Sequence, residues 1–223
     1  MAKAVQLLVS LDPEVMEIAG RSLAISGTSC SIAILICLPF GSLIHLQRFP
    51  GKRLLISVIQ TLFSLPTVAI GLIVFVLFSR AGPVGGLGLM FTPMLMVIGQ
   101  MVLITPVMLG LTISALSGVD KAVSETAISL GASRFQVSII IIREARHAIL
   151  TAVIMGFGRA VSEVGVSLMV GGNIKGFTRT ITTAISLETS RGDIELSLAL
   201  GMILILIALV INVALNRLQQ VQE

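Results

Sequence analysis

Residues 117–149 read SGVDKAVSETAISLGASRFQVSIIIIREARHAI. Val119, Val123, Ala127 and Leu130 recur at offsets 0, 4, 8 and 11, which puts them on one stripe of a helix. Gly131 follows where a helix C-cap belongs, Ser133 is suited to cap a second helix, and Gln136 stands three residues on, as in a capping box. The pattern predicts a helix, a sharp glycine turn and another helix. At about thirty residues the segment is too long for a simple connection and too regular for a structureless loop. Its apolar stripe needs a cover, either the rest of the chain or a groove on a partner. Leu130, Arg134 and Phe135 flank the turn and are best placed to reach such a partner, while Gly131 permits a backbone turn that other residues resist.

The flanking sequence belongs in a bilayer. Of 223 residues, 55% are hydrophobic and only 12% charged, against about 45–50% and 25% in an ordinary soluble domain; the mean hydropathy is +1.05. Five apolar runs reach the length of about 20 residues that a spanning helix needs: 22–44, 54–78, 89–116, 148–170 and 196–215. Their length and lack of period-two alternation predict an all-α membrane protein of five transmembrane helices in a single domain. Cys30 and Cys37 lie in one run without a metal-spaced partner and read as buried free thiols. A net charge of +4 raises the question of nucleic acid, but the 15 Lys and Arg are scattered and no Trp or Tyr is interleaved with them. No nucleic-acid partner is expected.

Charge in the connections sets the orientation. The loop 45–53 carries Arg48, Lys52 and Arg53 without an acid, and 117–147 carries Lys121, Arg134, Arg143 and Arg146, so both are expected in the cytoplasm. The amino terminus is then outside and the carboxyl terminus inside. Asp12, Pro13 and Glu14 read as a helix start, and residues 1–20 are expected to form a retained external interfacial segment before the first span.

Glu125-Thr126-Ala127, then three residues, Gly131, nine residues and Ile141 resemble the EAA motif of ABC importer permeases. Three positions depart from it: Thr126 stands where the family has Ala, and Arg143-Glu144 replace the usual Leu-Pro. The resemblance implies the type I importer permease fold and makes 117–147 the loop that couples the permease to its ATPase, with Glu125, Ala127 and Gly131 at the docking element.

The fourth run carries Arg159 and Glu163, four residues apart and therefore on one face of a continuous helix. Each buried charge costs roughly 2.5–3.5 kcal/mol, and apolar residues return roughly 0.3–0.6 kcal/mol apiece, so the span is marginal alone and belongs among other helices or beside a polar cavity. Gly158 and Ser162 have the small-xxx-small spacing that admits a close helix. Two readings stand: a structural or gating ion pair, and direct contact with an anionic substrate.

A second resemblance begins here. Gly158 to Gly165 (GRAVSEVG), Gly171 to Ile174 (GGNI) and Thr178 to Ile185 (TRTITTAI) are similar to molybdate and tungstate permeases, more so to the tungstate type, and the similarity covers nearly the whole chain. It implies a homodimer with an ABC ATPase pair below and an extracytoplasmic oxyanion-binding protein above. The donors Asn173, Thr178, Arg179, Thr180, Thr182 and Thr183, with Lys175, suit an anion pathway or a binding-protein surface; a solvated external loop is the alternative. No GxxxxGK[ST] occurs, so ATP is expected on the partner, and neither a cofactor nor a metal site is expected in this chain. A stand-alone secondary transporter or channel should show internal repeats or paired broken helices, and neither is visible in the sequence.

Overall fold

The computed structural model describes residue 10, residues 12–47 and residues 49–220. Among the described residues ten α-helices follow one another, with no strand: α1 Pro13–Leu46, α2 Lys52–Thr61, α3 Thr67–Phe78, α4 Pro93–Ser117, α5 Lys121–Ser129, α6 Arg134–Glu144, α7 Arg146–Val161, α8 Gly165–Gly171, α9 Ile181–Arg191 and α10 Ile194–Gln220. Helices α1, α4 and α10 are long and apolar enough to cross a membrane, and the count rises to five if the bent pairs α2–α3 and α7–α8 are each one span.

The start of α1 follows from its sequence. Asp12 Oδ1 accepts from the backbone N–H groups of Glu14 and Val15 at 2.9 and 3.2 Å, and Pro13 occupies the first helical position. No breaker separates Pro13 from the apolar run, so the helix continues for 34 residues, about 51 Å, well beyond a hydrocarbon core of about 30 Å. Residues 1–9 and Arg48, which entered the interfacial and orientation readings, lie outside the described residues.

Two expected continuous spans are broken. The run 54–78 bends by 97° between Lys52–Ser64 and Thr67–Phe78. Pro66 lacks an N–H and forces the preceding Leu65 to extended backbone, at φ −62° and ψ 132°. The run 148–170 bends by 57° between α7 and α8. The sequence reading of no paired broken helices is therefore corrected.

The core forms where α4 meets α1, α7, α8 and the inner face of α3. Leu95, Met96, Ile104 and Met108 of α4 are fully buried, with Ala33 and Cys37 of α1 and Val166 and Val170 of α8 against them. Lipid is as apolar as leucine, so packing quality, not removal from water, selects these contacts. Glycine supplies the closeness: a Cβ on Gly99 would lie 2.5 Å from Val166 Cγ1, and one on Gly71 of α3 would lie 3.1 Å from Val166 Cα. The second halves of both bent pairs, α3 and α8, thus pack on each other. Leu35, Leu54, Ile73 and Ile205 remain exposed, as lipid-facing side chains should.

The bundle has two distinct ends. Helix α1 begins beside the 173–179 loop, where Lys175 Nζ is 2.7 Å from Glu14 Oε1, and finishes beside α6, where Ser42 and Ser138 share a hydrogen bond.

Candidate functional site

Helices α5 and α6 with their turn form the most exposed apolar feature at the second end. Asp120 caps α5 through Ala122 N–H at 2.9 Å. The turn is a Schellman arrangement: Gly131 has φ +84°, its N–H donates to Ile128 O at 2.9 Å, and Ala132 N–H donates back to Ala127 O at 3.0 Å. The capping box is present, with Gln136 N–H on Ser133 Oγ at 3.3 Å and Ser133 N–H on Gln136 Oε1 at 2.7 Å. Ala127 packs under the hairpin with Leu116, Val137, Ile141 and Ala145. Leu130 departs from the expected stripe. It falls just beyond the last turn of α5 and points outward, 83% exposed, beside Phe135 at 74% and Ile128 at 61%. Glu125 and Arg134 are exposed as well. The chain therefore buries Ala127, half-covers Val119 and Val123, and leaves Leu130 at the tip uncovered.

The expected Arg159–Glu163 pair does not form; the described residues contain no ion pair between them. Helix α7 ends at Val161, which removes the i,i+4 geometry that the pairing required. Glu163, 5% exposed, instead turns into α8, and its Oε1 accepts the Val166 N–H at 2.9 Å. The break is fastened from two sides: Gln100 Nε2 donates to Ala160 O at 3.2 Å, and Thr182 Oγ1 to Glu163 O at 2.7 Å. Ser29 Oγ in turn donates to Gln100 Oε1 at 3.2 Å. Arg159 is half-buried, and its Nε is buried without a hydrogen-bond partner. Its place at the end of α7 returns about 0.3–1 kcal/mol from the helix dipole, against roughly 2.5–3.5 kcal/mol for a membrane charge. The dipole does not settle the account. The close helix expected at Gly158 and Ser162 is also missing from this chain, since nothing lies within 4 Å of a Cβ built on Gly158 and Ser162 is exposed.

At the opposite end, the expected anion donors are mostly spent on the fold. Thr178, Arg179, Thr180, Thr182 and Thr183 are all buried. Thr178 Oγ1 donates to Gly171 O, Thr180 N–H to Thr183 Oγ1 at 3.0 Å, and Asn173 Nδ2 to Thr183 O at 3.1 Å. Arg179 Nη1 lies 3.3 Å from Glu188 Oε1 and 3.9 Å from Glu14 Oε1, and Arg191 Nη1 is 3.2 Å from the same Glu188 oxygen. Arg21 bridges Arg179 O at 3.0 Å to the Glu17 carboxylate. These residues pin α1, α9 and the 173–179 loop together and engage the threonine hydroxyls and Arg179 Nη1 within the fold, while Arg179 Nε is buried without a hydrogen-bond partner. Ile174, Lys175, Gly176 and Phe177 are what the loop leaves exposed. Among the described residues no group of three His, Cys, Asp or Glu could hold a metal ion.

Sequence reasoning missed Glu14 and Glu188 as the partners of Arg179, because contacts across 165 and 9 positions leave no periodic trace. It also missed Gln100 and Ser29 as supports of the break. Pro66 was a readable signal: a proline in the middle of an apolar run, preceded by a residue it drives out of the helical region.

The described residues thus form a helical bundle with two sharply bent helix pairs and a helix–glycine–helix element projecting from one end, the architecture of a multi-pass membrane protein. The sequence profile of the family described as binding-protein-dependent transport system inner membrane component matches residues 37–223, and the chain belongs to that family. It is 41% identical to the tungstate uptake system permease protein TupB of Peptoclostridium acidaminophilum, over 97% of this chain and 95% of that one. The TupB protein of Campylobacter jejuni is 38% identical over 98% and 91% of the two chains, and the molybdenum transport system permease protein ModB of Escherichia coli K12 is 32% identical over 90% and 94%. Among solved structures, the fold is similar to a chain of the inward-facing MetNI methionine ABC transporter, with a TM-score of 0.78, 18% identity and coverage of 95% and 97%. A bacterial alginate ABC importer also gives a TM-score of 0.78, at 17% identity and coverage of 100% and 84%. The protein is a multi-pass component of the inner membrane.

Proposed function

We propose that the chain is the permease subunit of an ATP-driven ABC importer that carries a tetrahedral oxyanion, tungstate or molybdate, into the cytoplasm. It works as a homodimer, with five spans per copy, the amino terminus outside, a pair of ATPase subunits on the α5–α6 side and an oxyanion-binding protein on the side of the 173–179 loop. The observation that carries this reading is the α5–Gly131–α6 hairpin: it is rigidly capped at both helix ends, yet it leaves Leu130, Ile128 and Phe135 in water. A rigid lever with an uncovered apolar tip suits docking into a groove on another chain. The relatives named as tungstate and molybdenum permeases supply the substrate class.

Mechanically, closure of the ATPase pair on ATP pushes the hairpin, with Glu125, Ala127, Leu130, Gly131, Arg134 and Phe135 as the docking element. Ala127 lies in one apolar cluster with Leu116 at the end of α4 and Ile149 at the start of α7, so a displaced hairpin moves both helices. Helix α7 leads to the break at 162–164, where Gln100 and Thr182 tie it to α4 and α9. The bend is the hinge at which the pathway changes its open side.

The two bent pairs favour one rival, a self-contained secondary transporter. Proteoliposomes separate the two. The chain reconstituted with its ATPase and binding protein takes up tungstate only when ATP is supplied to the ATPase side. Uptake by the chain alone, driven by an ion gradient, would reject the importer reading.

A further inference from the structure

Arg159 and Glu163 are the only charged residues in the five apolar runs. With Glu163 buried and capping Val166, Arg159 has no carboxylate at its depth.

The surroundings of Arg159 say what it faces. Met155 is 59% exposed, Gly158 borders open space and Ser162 is exposed. Met155 and Arg159 are four residues apart on α7, as are Gly158 and Ser162, so the four share one side of the helix. Toward the α5–α6 end this side continues through Thr151 and Ala148 into a groove of about 710 Å³ between α7, the end of α4 at Ser114 and Gly118, and Val119 and Asp120. The groove ends on α7 at Met155, one turn before the unpaired Arg159 guanidinium. Small and apolar residues line most of the groove, with Ser114 and Thr151 among them and the carboxylates of Asp120 and Glu144 at its hairpin end.

We infer that Arg159 is the anion-contacting residue of the translocation pathway: its guanidinium, unpaired beside the exposed Gly158 and Ser162 and one turn beyond the groove, meets the oxyanion as it crosses the α7–α8 break. This deepens the proposed function and rests on it. A planar fork of donors fits two oxygens of a tetrahedral dianion at once, which a lone ammonium does not. The Glu163 carboxylate is turned to the Val166 N–H and forms no ion pair with Arg159. The hinge position gives the contact a direction, because motion at the break changes which side of the membrane the guanidinium addresses.

The test uses the complete complex of permease, ATPase and binding protein in proteoliposomes, with tungstate as the probe. In Arg159→Gln, the complex assembles and hydrolyses ATP as before, but uptake falls about ten- to a hundredfold, the loss of a charged hydrogen-bonding partner. Arg159→Lys retains the charge and keeps uptake within about tenfold of the parent. Arg159→Cys recovers uptake with a cationic aminoethyl thiol reagent and not with a neutral methyl one. Near-normal uptake in Arg159→Gln would overturn the inference. So would failure of both the Gln and Lys variants to assemble, which would make Arg159 structural. If the parent complex moves no tungstate, the functional reading itself fails; thiol labelling of Arg159→Cys from water then still decides whether the position lines an aqueous path.

Discussion

Replacing Gly131 probes the lever at the point where its geometry is most demanding. Its φ of +84° lies in the left-handed region, and nothing stands within 4 Å of a Cβ built there. Neighbouring side chains therefore add nothing to the cost, and Gly131→Ala costs only the backbone term of about 1–2 kcal/mol. If the ATPase binds the observed turn, that strain appears as about five- to thirtyfold weaker association. Asparagine tolerates this conformation, so Gly131→Asn should stay close to the parent. Proline is worst: its φ is fixed near −65° and it removes the N–H that donates to Ile128 O at 2.9 Å. The assay is a titration of the purified permease with its ATPase subunit, read by fluorescence anisotropy, with helix content followed by circular dichroism. The predicted order of affinity is Gly, Asn, Ala, Pro. Unchanged binding in Gly131→Pro, or Asn as weak as Pro with helix content intact, would refute the reasoning.

The buried Arg179–Glu188 pair should behave asymmetrically. Glu188→Leu leaves Arg179 with only Glu14 at 3.9 Å and should cost about 3–5 kcal/mol, seen as a lower thermal midpoint in detergent. Arg179→Met should cost less, because Glu188 keeps Arg191 at 3.2 Å, and the double variant should regain most of the loss; equal losses with no recovery would show that the pair is not coupled. At the α4–α8 contact, Gly99→Ala should destabilise by about 1–3 kcal/mol through overpacking on Val166. Gly201→Ala in α10, with nothing within 4 Å, should instead raise stability by up to about 1 kcal/mol; the opposite order would contradict the packing described.

The features legible in the sequence were local ones. The Asp12-Pro13 start, the Gly131 turn and the Ser133–Gln136 box rest on hydrogen bonds within a few residues, and all three stand as read. Apolar length announced the membrane but not the bends, since hydropathy is blind to backbone direction and Pro39 and Pro106 sit inside intact helices while Pro66 breaks one. The Arg159–Glu163 pairing failed for the same reason: helical spacing presumes a helix, and α7 stops between the two. Thr178 to Thr183 carry the right donors for an anion, and only their tertiary partners show that the fold already uses them.

A photoreactive amino acid at Phe135, which is 74% exposed beside Leu130, tests the central claim most directly. In cells taking up tungstate, illumination should join this chain to a nucleotide-hydrolysing subunit, with a yield that changes when ATP is trapped on that subunit. Adducts with lipid or with the chain itself alone, in cells that still accumulate the oxyanion, would contradict the account.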